Sequence, residues 1–259
     1  MTLEVDAAFA AAAHNPDVKV IVLLGKGDNF SSGHDLGTPE RLADGVSDPL
    51  KQQGMRGDYE MWSSTDVEAC LRWRAVKKPV VCGIQGYVVF HGVAVASVAD
   101  VIFAADDLKM MPSLVEVTTL PWDLALNARR AKEIMFAQRF ILAQEALELG
   151  LVNRVFPASK LRDEVVAYAK VVAKADGFHL WMMKNAVNGA MDSAGYTQNI
   201  RSNLNTWAAY YASLADPATQ GKKAEFAASK RMAPIPGALT PEVMRWSENA
   251  TLMKKATKL

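Results

Sequence analysis

From Pro79 to Ala99 the chain runs 21 residues without a formal charge, and no other stretch limits the possible folds so tightly. Its length matches a membrane span, but its composition does not. Pro79, Gly83, Gly86 and Gly92 punctuate it, Gln85 and His91 interrupt it, and its apolar residues fall into two short blocks. The stretch therefore reads as a buried strand over Val80 to Ile84, a turn, and a buried helix over Val93 to Val98.

The flanking segments fit the same plan. Thr2 to Ala13 reads as a helix with Leu3, Ala7, Ala10 and Ala11 on one face. Asn15-Pro16-Asp17 breaks it, and Val18 to Leu24 follows as a β-branched strand ending at Gly25. Arg41 to Ser64 is polar and rich in Gly and Asp, which predicts a long surface loop or a mobile segment. Thr65 is expected to start a helix, with Glu68 completing a capping box and Val67, Cys70 and Leu71 facing inward. Lys77-Lys78-Pro79 ends that helix. Val101 to Ala104 and Val152 to Phe156 read as further strands, Ala128 to Gln138 and Gln144 to Leu149 as helices, and residues 160–228 as almost entirely helical. Strand and helix alternate first and helices accumulate last, which defines an α/β core of stacked parallel strands followed by a helical region.

With 259 residues, half of them hydrophobic, the chain can build one large core. Its 29 basic and 28 acidic residues argue against a nucleic-acid binder or a binder of anionic membranes. Two cysteines, Cys70 and Cys82, make no disulfide framework, so a reducing, cytoplasmic setting is expected. Glu4 and Asp6 stand where a signal peptide would be cationic. Without a secretory signal, the triplets at Asn29 and Asn249 carry no meaning as glycosylation sites.

Several motifs fail. Gly25-Lys26-Gly27 follows a strand, but Phe30 stands where a dinucleotide loop needs its third glycine. No Walker loop, metalloprotease helix or nucleophile elbow is present. His14, His34, His91 and His179 lack metal-ligand spacing, so no metal and no cofactor is expected. Two strand-to-loop junctions remain, Phe30 to Leu36 and Gln85 to Gly92. Ligands gather at such carboxyl ends of strands, and a helix starting after Phe90 would offer free N–H groups to negative charge.

Taken with Lys78-Pro79-Val80-Val81, Gly86-Tyr87, Arg130-Ala131-Lys132-Glu133 and Glu145 through Pro157, these junctions resemble the crotonase superfamily, the enoyl-CoA hydratase/isomerase family. The resemblance runs from Met1 to about Arg231. It implies a spiral of ββα units over 1–177 and a helical oligomerisation region over 178–259, assembled as a homotrimer or hexamer. It also implies an acyl-CoA ligand and no membrane or nucleic-acid partner. The chain would begin inside the family's first helix, with the usual first strand pair absent from this numbering: either the true start lies upstream, or this part of the sheet has been given up. By position, the backbone N–H groups of His34 and His91 would form the oxyanion hole. Ser32, Asp35, Leu36, Lys230 and Arg231 would meet the CoA. Tyr87, Phe90, Ala94, Leu114 and Trp122 would line the acyl pocket.

The departures from the family pattern bear on the chemistry. Phe90-His91-Gly92 replaces a glycine triplet, and Ala94 and Leu114 stand where hydratases carry their two glutamates. Hydration needs one group to activate water and another to protonate the α-carbon. His91, Asp123 and Glu116 are the substitutes the sequence offers, with His34 and Tyr87 as further options. Three readings stay open: an acyl-CoA enzyme with a non-standard acid or base, a non-catalytic acyl-CoA binder, and a structural or interaction subunit.

Overall fold

The computed structural model describes residues 1–35, 54–112 and 117–213. Leu36, Leu114, Glu116, Lys230, Arg231, most of the expected loop before Ser64, and the tail beyond Ser213 lie outside the described residues. Two sheets organise the rest. Strands β1 (Ile21–Leu24), β2 (Val80–Ile84), β4 (Val101–Ala105) and β7 (Arg154–Phe156) form a parallel sheet in that order. A second sheet holds β3 (Tyr87–Phe90), β5 (Lys109–Pro112) and β6 (Ile141–Leu142), with β3 and β5 parallel and β6 antiparallel. The stacked parallel strands expected from the sequence are therefore present.

The uncharged stretch is buried because both faces of β2 are covered. Val80, Cys82 and Ile84 point to one side, where Ile84 and Cys82 join a core with Val88, Val93, Ala96 and Ala104. Val81 points to the other, against Leu161, Val165 and Ala169 of helix α8 (Ala158–Val172). Alternation with period two puts each residue on its face, and each fully buried Val or Ile contributes about 1.5–3 kcal/mol.

Between β2 and β3 the chain passes from one sheet to the other at Gly86, whose φ is +55°. A side chain there would lie 2.3 Å from the Asp28 carbonyl oxygen. From sequence alone this whole junction reads as loop. β3 and β5 were missed because four-residue strands inside continuous apolar sequence give no separate periodic signal.

Further expectations are corrected. Helix α1 (Thr2–His14) forms as predicted, but Leu3 is 76% exposed and the inner face is Phe9, with Val5 and Ala13. Phe9 stacks on Trp73 at 5.5 Å, and that contact sets the helix's rotation. The segment ending at Ser64 is not all loop, and Thr65 starts no helix. Helix α2 (Met55–Met61), a π-helical segment (Trp62–Val67) and helix α3 (Glu68–Arg74) run as one continuous rod. Glu68 does not cap; it receives the Arg201 guanidinium at 2.7 and 2.9 Å.

The remaining helices are α4 (His91–Ser97), α5 (Leu120–Asp123), α6 (Ala128–Ala137), α7 (Ala143–Glu148), α9 (Gly177–Ser193) and α10 (Tyr196–Ser213). The last two dock onto the rod and its neighbours. Arg74 grips Asp192, buried Lys184 reaches Asp100 at 2.9 Å, and the Tyr59 hydroxyl donates to Asn205. Met55, Tyr59, Met61 and Trp62 pack in the cluster that also holds Trp207 and Tyr211.

Candidate functional site

The two junctions come together. Past β1 the chain crosses Gln85 and then runs beside β3, where the Ser31 N–H donates to Tyr87 O and the Val89 N–H to Ser31 O. A side chain at Gly92 would meet Ser31 Cβ at 2.8 Å, so only glycine lets the first loop lie this close. The Ser31 hydroxyl accepts from the Gly33 N–H and tightens the turn that leads to His34. On the other side, Phe90 holds φ at +49°, a left-handed conformation that costs a residue with a side chain about 1–3 kcal/mol. That turn ends β3 and makes His91 the first residue of α4, where N–H groups have no partner within the helix.

The side chains of these same two residues meet. The imidazoles of His34 and His91 are stacked, with centroids 4.7 Å apart and planes 13° apart. His91 is 6% exposed, whereas the His34 side chain is 38% exposed. Facing both is Asp66, only 3% exposed, which the sequence reading missed. Its Oδ2 lies 3.4 Å from His34 Nε2, a long hydrogen-bond distance, and its Oδ1 lies 3.8 Å from His91 Nε2, within ion-pair range. Burial works to raise the Asp66 pKa. The hydrogen bond from His34, the charges of His91 and His34, and the Thr65 hydroxyl outweigh it and hold the carboxyl below its ordinary range.

Asp66 arrives through the π-helical segment. The hydroxyls of Ser64 and Thr65 both donate to the Met61 carbonyl, and the Glu68 N–H bonds back five residues to Ser63 O. Such hydroxyl back-bonding competes with the α-helical ladder, and π segments cluster at functional sites. Periodicity read along the sequence cannot reveal a register change of this kind. The one available signal was a carboxylate, Asp66, inside an otherwise apolar inner face.

Two imidazoles and a carboxylate, with ligand atoms all within 4.8 Å, are a donor set that metals use. Here the two rings are stacked nearly parallel, and the carboxylate faces each through a separate oxygen, at 3.4 and 3.8 Å.

The other expected site residues sit elsewhere. Ser32 and Asp35 are exposed on the first loop. Tyr87 packs on Phe140 under Lys109, and Phe90 lies in the same small cluster. Ala94 is buried against the rod. The Trp122 indole donates to Asn199 and meets Tyr196 edge-on. Asp123 accepts from the Ser97 hydroxyl, which in turn accepts from Thr119. Ser97 ends the helix that His91 begins, roughly 9 Å along its axis at 1.5 Å per residue. Burial pushes the Asp123 carboxyl up to about 6 against the pull of the Thr119 and Ser97 hydroxyls.

A fold of parallel strands wound with helices, with the loop that carries His34 laid beside the helix start at His91, defines the class of protein to which the chain is similar. Residues 1–215 match the family model for enoyl-CoA hydratase/isomerase. A probable enoyl-CoA hydratase from Mycobacterium thermoresistibile shares 34% identity, with 79% of this chain and 82% of that one covered and a TM-score of 0.68. One from Mycobacterium smegmatis shares 29% identity over 84% and 86% of the two chains, with a TM-score of 0.74. The Mycobacterium tuberculosis protein EchA13, which carries the name of an enoyl-CoA hydratase, is 27% identical over 215 residues, 76% of this chain and 67% of its own. The chain belongs to the enoyl-CoA hydratase/isomerase family.

Proposed function

We infer that the protein is an acyl-CoA enzyme that stabilises a thioester enolate with the N–H groups of His34 and His91, and moves the proton with the His34–Asp66 pair. The stacked imidazoles on buried Asp66 carry this reading, because they belong to the residues whose N–H groups would hold the carbonyl oxygen. Preorganised donors of this kind contribute about 3–4 kcal/mol each. His34 Nε2 lies 3.4 Å from Asp66 Oδ2, and the backbone N–H of the same residue is one of the two donors in this reading. Asp66 holds the ring and offsets the charge it gains. Buried His91 stacks behind it and limits its swing. Glu116 has no role in this reading, and Asp123 stands too far along α4 to take one.

CoA recognition by Ser32, Asp35, Leu36, Lys230 and Arg231, and assembly as a trimer or hexamer, belong to the same proposal. Exposed Phe178, Met182, Met183 and Val187 on α9 support an apolar contact between copies. No helix among the described residues is long and apolar enough to cross a membrane. The test is exchange of the α-protons of butyryl-CoA in D2O, followed by NMR. Exchange above the uncatalysed rate, lost in His34→Gln, is expected. A thioester that binds without exchange would leave the non-catalytic reading in its place.

A further inference from the structure

A cavity of about 490 Å³ lies apart from the stacked histidines, and none of His34, Asp66 and His91 lines it. It sits just past the carboxyl ends of β1, β2, β4 and β7, between the turn that leaves β1 and the first turn of α8. Ligands of α/β folds gather at such ends, and the volume is that of small-molecule sites, about 300–1,000 Å³. One wall is held rigidly. The Gln85 Nε2 donates to the carbonyls of Gly25 and Gly27 at 3.2 and 2.9 Å. Carbonyls only accept, so these two bonds settle which end of the amide is nitrogen. Its Oε1 is then a buried acceptor with no hydrogen-bond partner among the described residues, a state that buried polar groups rarely keep.

The charges on the wall face one another without pairing. Asp28 and Asp107 come from the turns after β1 and β4, and Arg162 comes from α8. None of the three forms an ion pair among the described residues. Asp107 accepts the Gly86 N–H through Oδ1, which leaves its Oδ2 open. Ser159 and Arg162 stand three residues apart on α8, so they share a helix face. We propose that this cavity binds a free basic α-amino acid with the chemistry of lysine. The ligand's carboxylate pairs with the Arg162 guanidinium, whose planar fork suits a carboxylate, and accepts from the Ser159 hydroxyl. Its two ammonium groups are shared among Asp28, Asp107 and Gln85 Oε1. The match is one of charge. The wall carries two carboxylates and one guanidinium, and zwitterionic lysine brings two ammoniums and one carboxylate. A phosphorylated ligand would add negative charge to a wall that is already net negative. A neutral amino acid would leave one carboxylate without a partner.

The experiment is calorimetric titration of the full chain with L-lysine at neutral pH and low ionic strength, where exposed charges are least screened. Saturable binding of one lysine per chain is expected. L-norleucine lacks the side-chain ammonium and 1,5-diaminopentane lacks the carboxylate, so each should bind at least about 10-fold more weakly, the scale of one lost charge-assisted hydrogen bond. Arg162→Gln should weaken lysine by at least about 10-fold and leave 1,5-diaminopentane within about twofold of wild type. Asp107→Asn keeps an acceptor for the Gly86 N–H and should weaken both ligands. Arg162 and Asp107 are exposed, so neither substitution opens the core, and a general loss of folding would not separate the two ligands in this way. Lysine that fails to saturate the chain by about 10 mM overturns the proposal. Norleucine or inorganic phosphate bound as tightly as lysine overturns the choice of ligand. Lysine affinity unchanged in both variants overturns the location. Each outcome is independent of acyl-CoA binding, because the two sites share no residue.

Discussion

Replacing Asp123 with Asn should stabilise the protein, and by an amount that depends on pH. The carboxyl moves from an ordinary 3.8 to about 6, with burial the chief cause. A raised acid favours the folded state when protonated: the benefit is complete below the unfolded value of 3.8 and is lost as pH rises through about 6. At about 1.4 kcal/mol per tenfold, ionised Asp123 costs on the order of 3 kcal/mol above pH 7, and under about 1 kcal/mol at pH 4. Asparagine keeps an acceptor oxygen for the Ser97 hydroxyl and never ionises. In urea unfolding at one protein concentration, Asp123→Asn should exceed wild type by about 2 kcal/mol more at pH 8 than at pH 4. A gap that stays constant within about 0.5 kcal/mol across this range would refute the burial argument, as would a variant less stable than wild type at pH 8.

Two other perturbations follow from packing. Arg139 is 1% exposed and is gripped by both oxygens of Glu145, at 2.8 and 2.7 Å, with Glu133 on its other side. Glu145→Ala leaves a buried guanidinium half-paired and should cost about 3–5 kcal/mol in unfolding experiments; a loss under about 1 kcal/mol would show that Glu133 alone suffices. Gly86→Ala sets a β-carbon against the Asp28 carbonyl in a left-handed conformation, so it should lower stability by at least about 1–3 kcal/mol, and a melting temperature unchanged from wild type would contradict the crossing described at Gly86.

The sequence made the parallel core legible because β2 and β4 are uniformly apolar and long enough to stand out between polar neighbours. It also marked both halves of the cleft, through the short motifs around His34 and His91. It hid Asp66, since a change of helical register leaves no mark on a pattern of apolar residues. Asp123 stands out in the sequence as an acid after Pro121-Trp122, and the fold places it beside Ser97, the last residue of the helix that His91 begins. The inner face of α1 was misread for a related reason. Alanines carry little directional information, and one aromatic contact, Phe9 on Trp73, decides how that helix turns.

The π-helical segment has a bearing on how such a cleft could arise. A rod of α2 and α3 without the widened turn is one residue shorter, and every side chain on one side of the missing position is rotated by about 100° relative to the other. Asp66 would then leave the two imidazoles and face elsewhere, and the helix on one side of it would have to repack. A single inserted codon could therefore bring a carboxylate to a pair of histidines in one step, and a single deletion could withdraw it, with no change to any strand of either sheet.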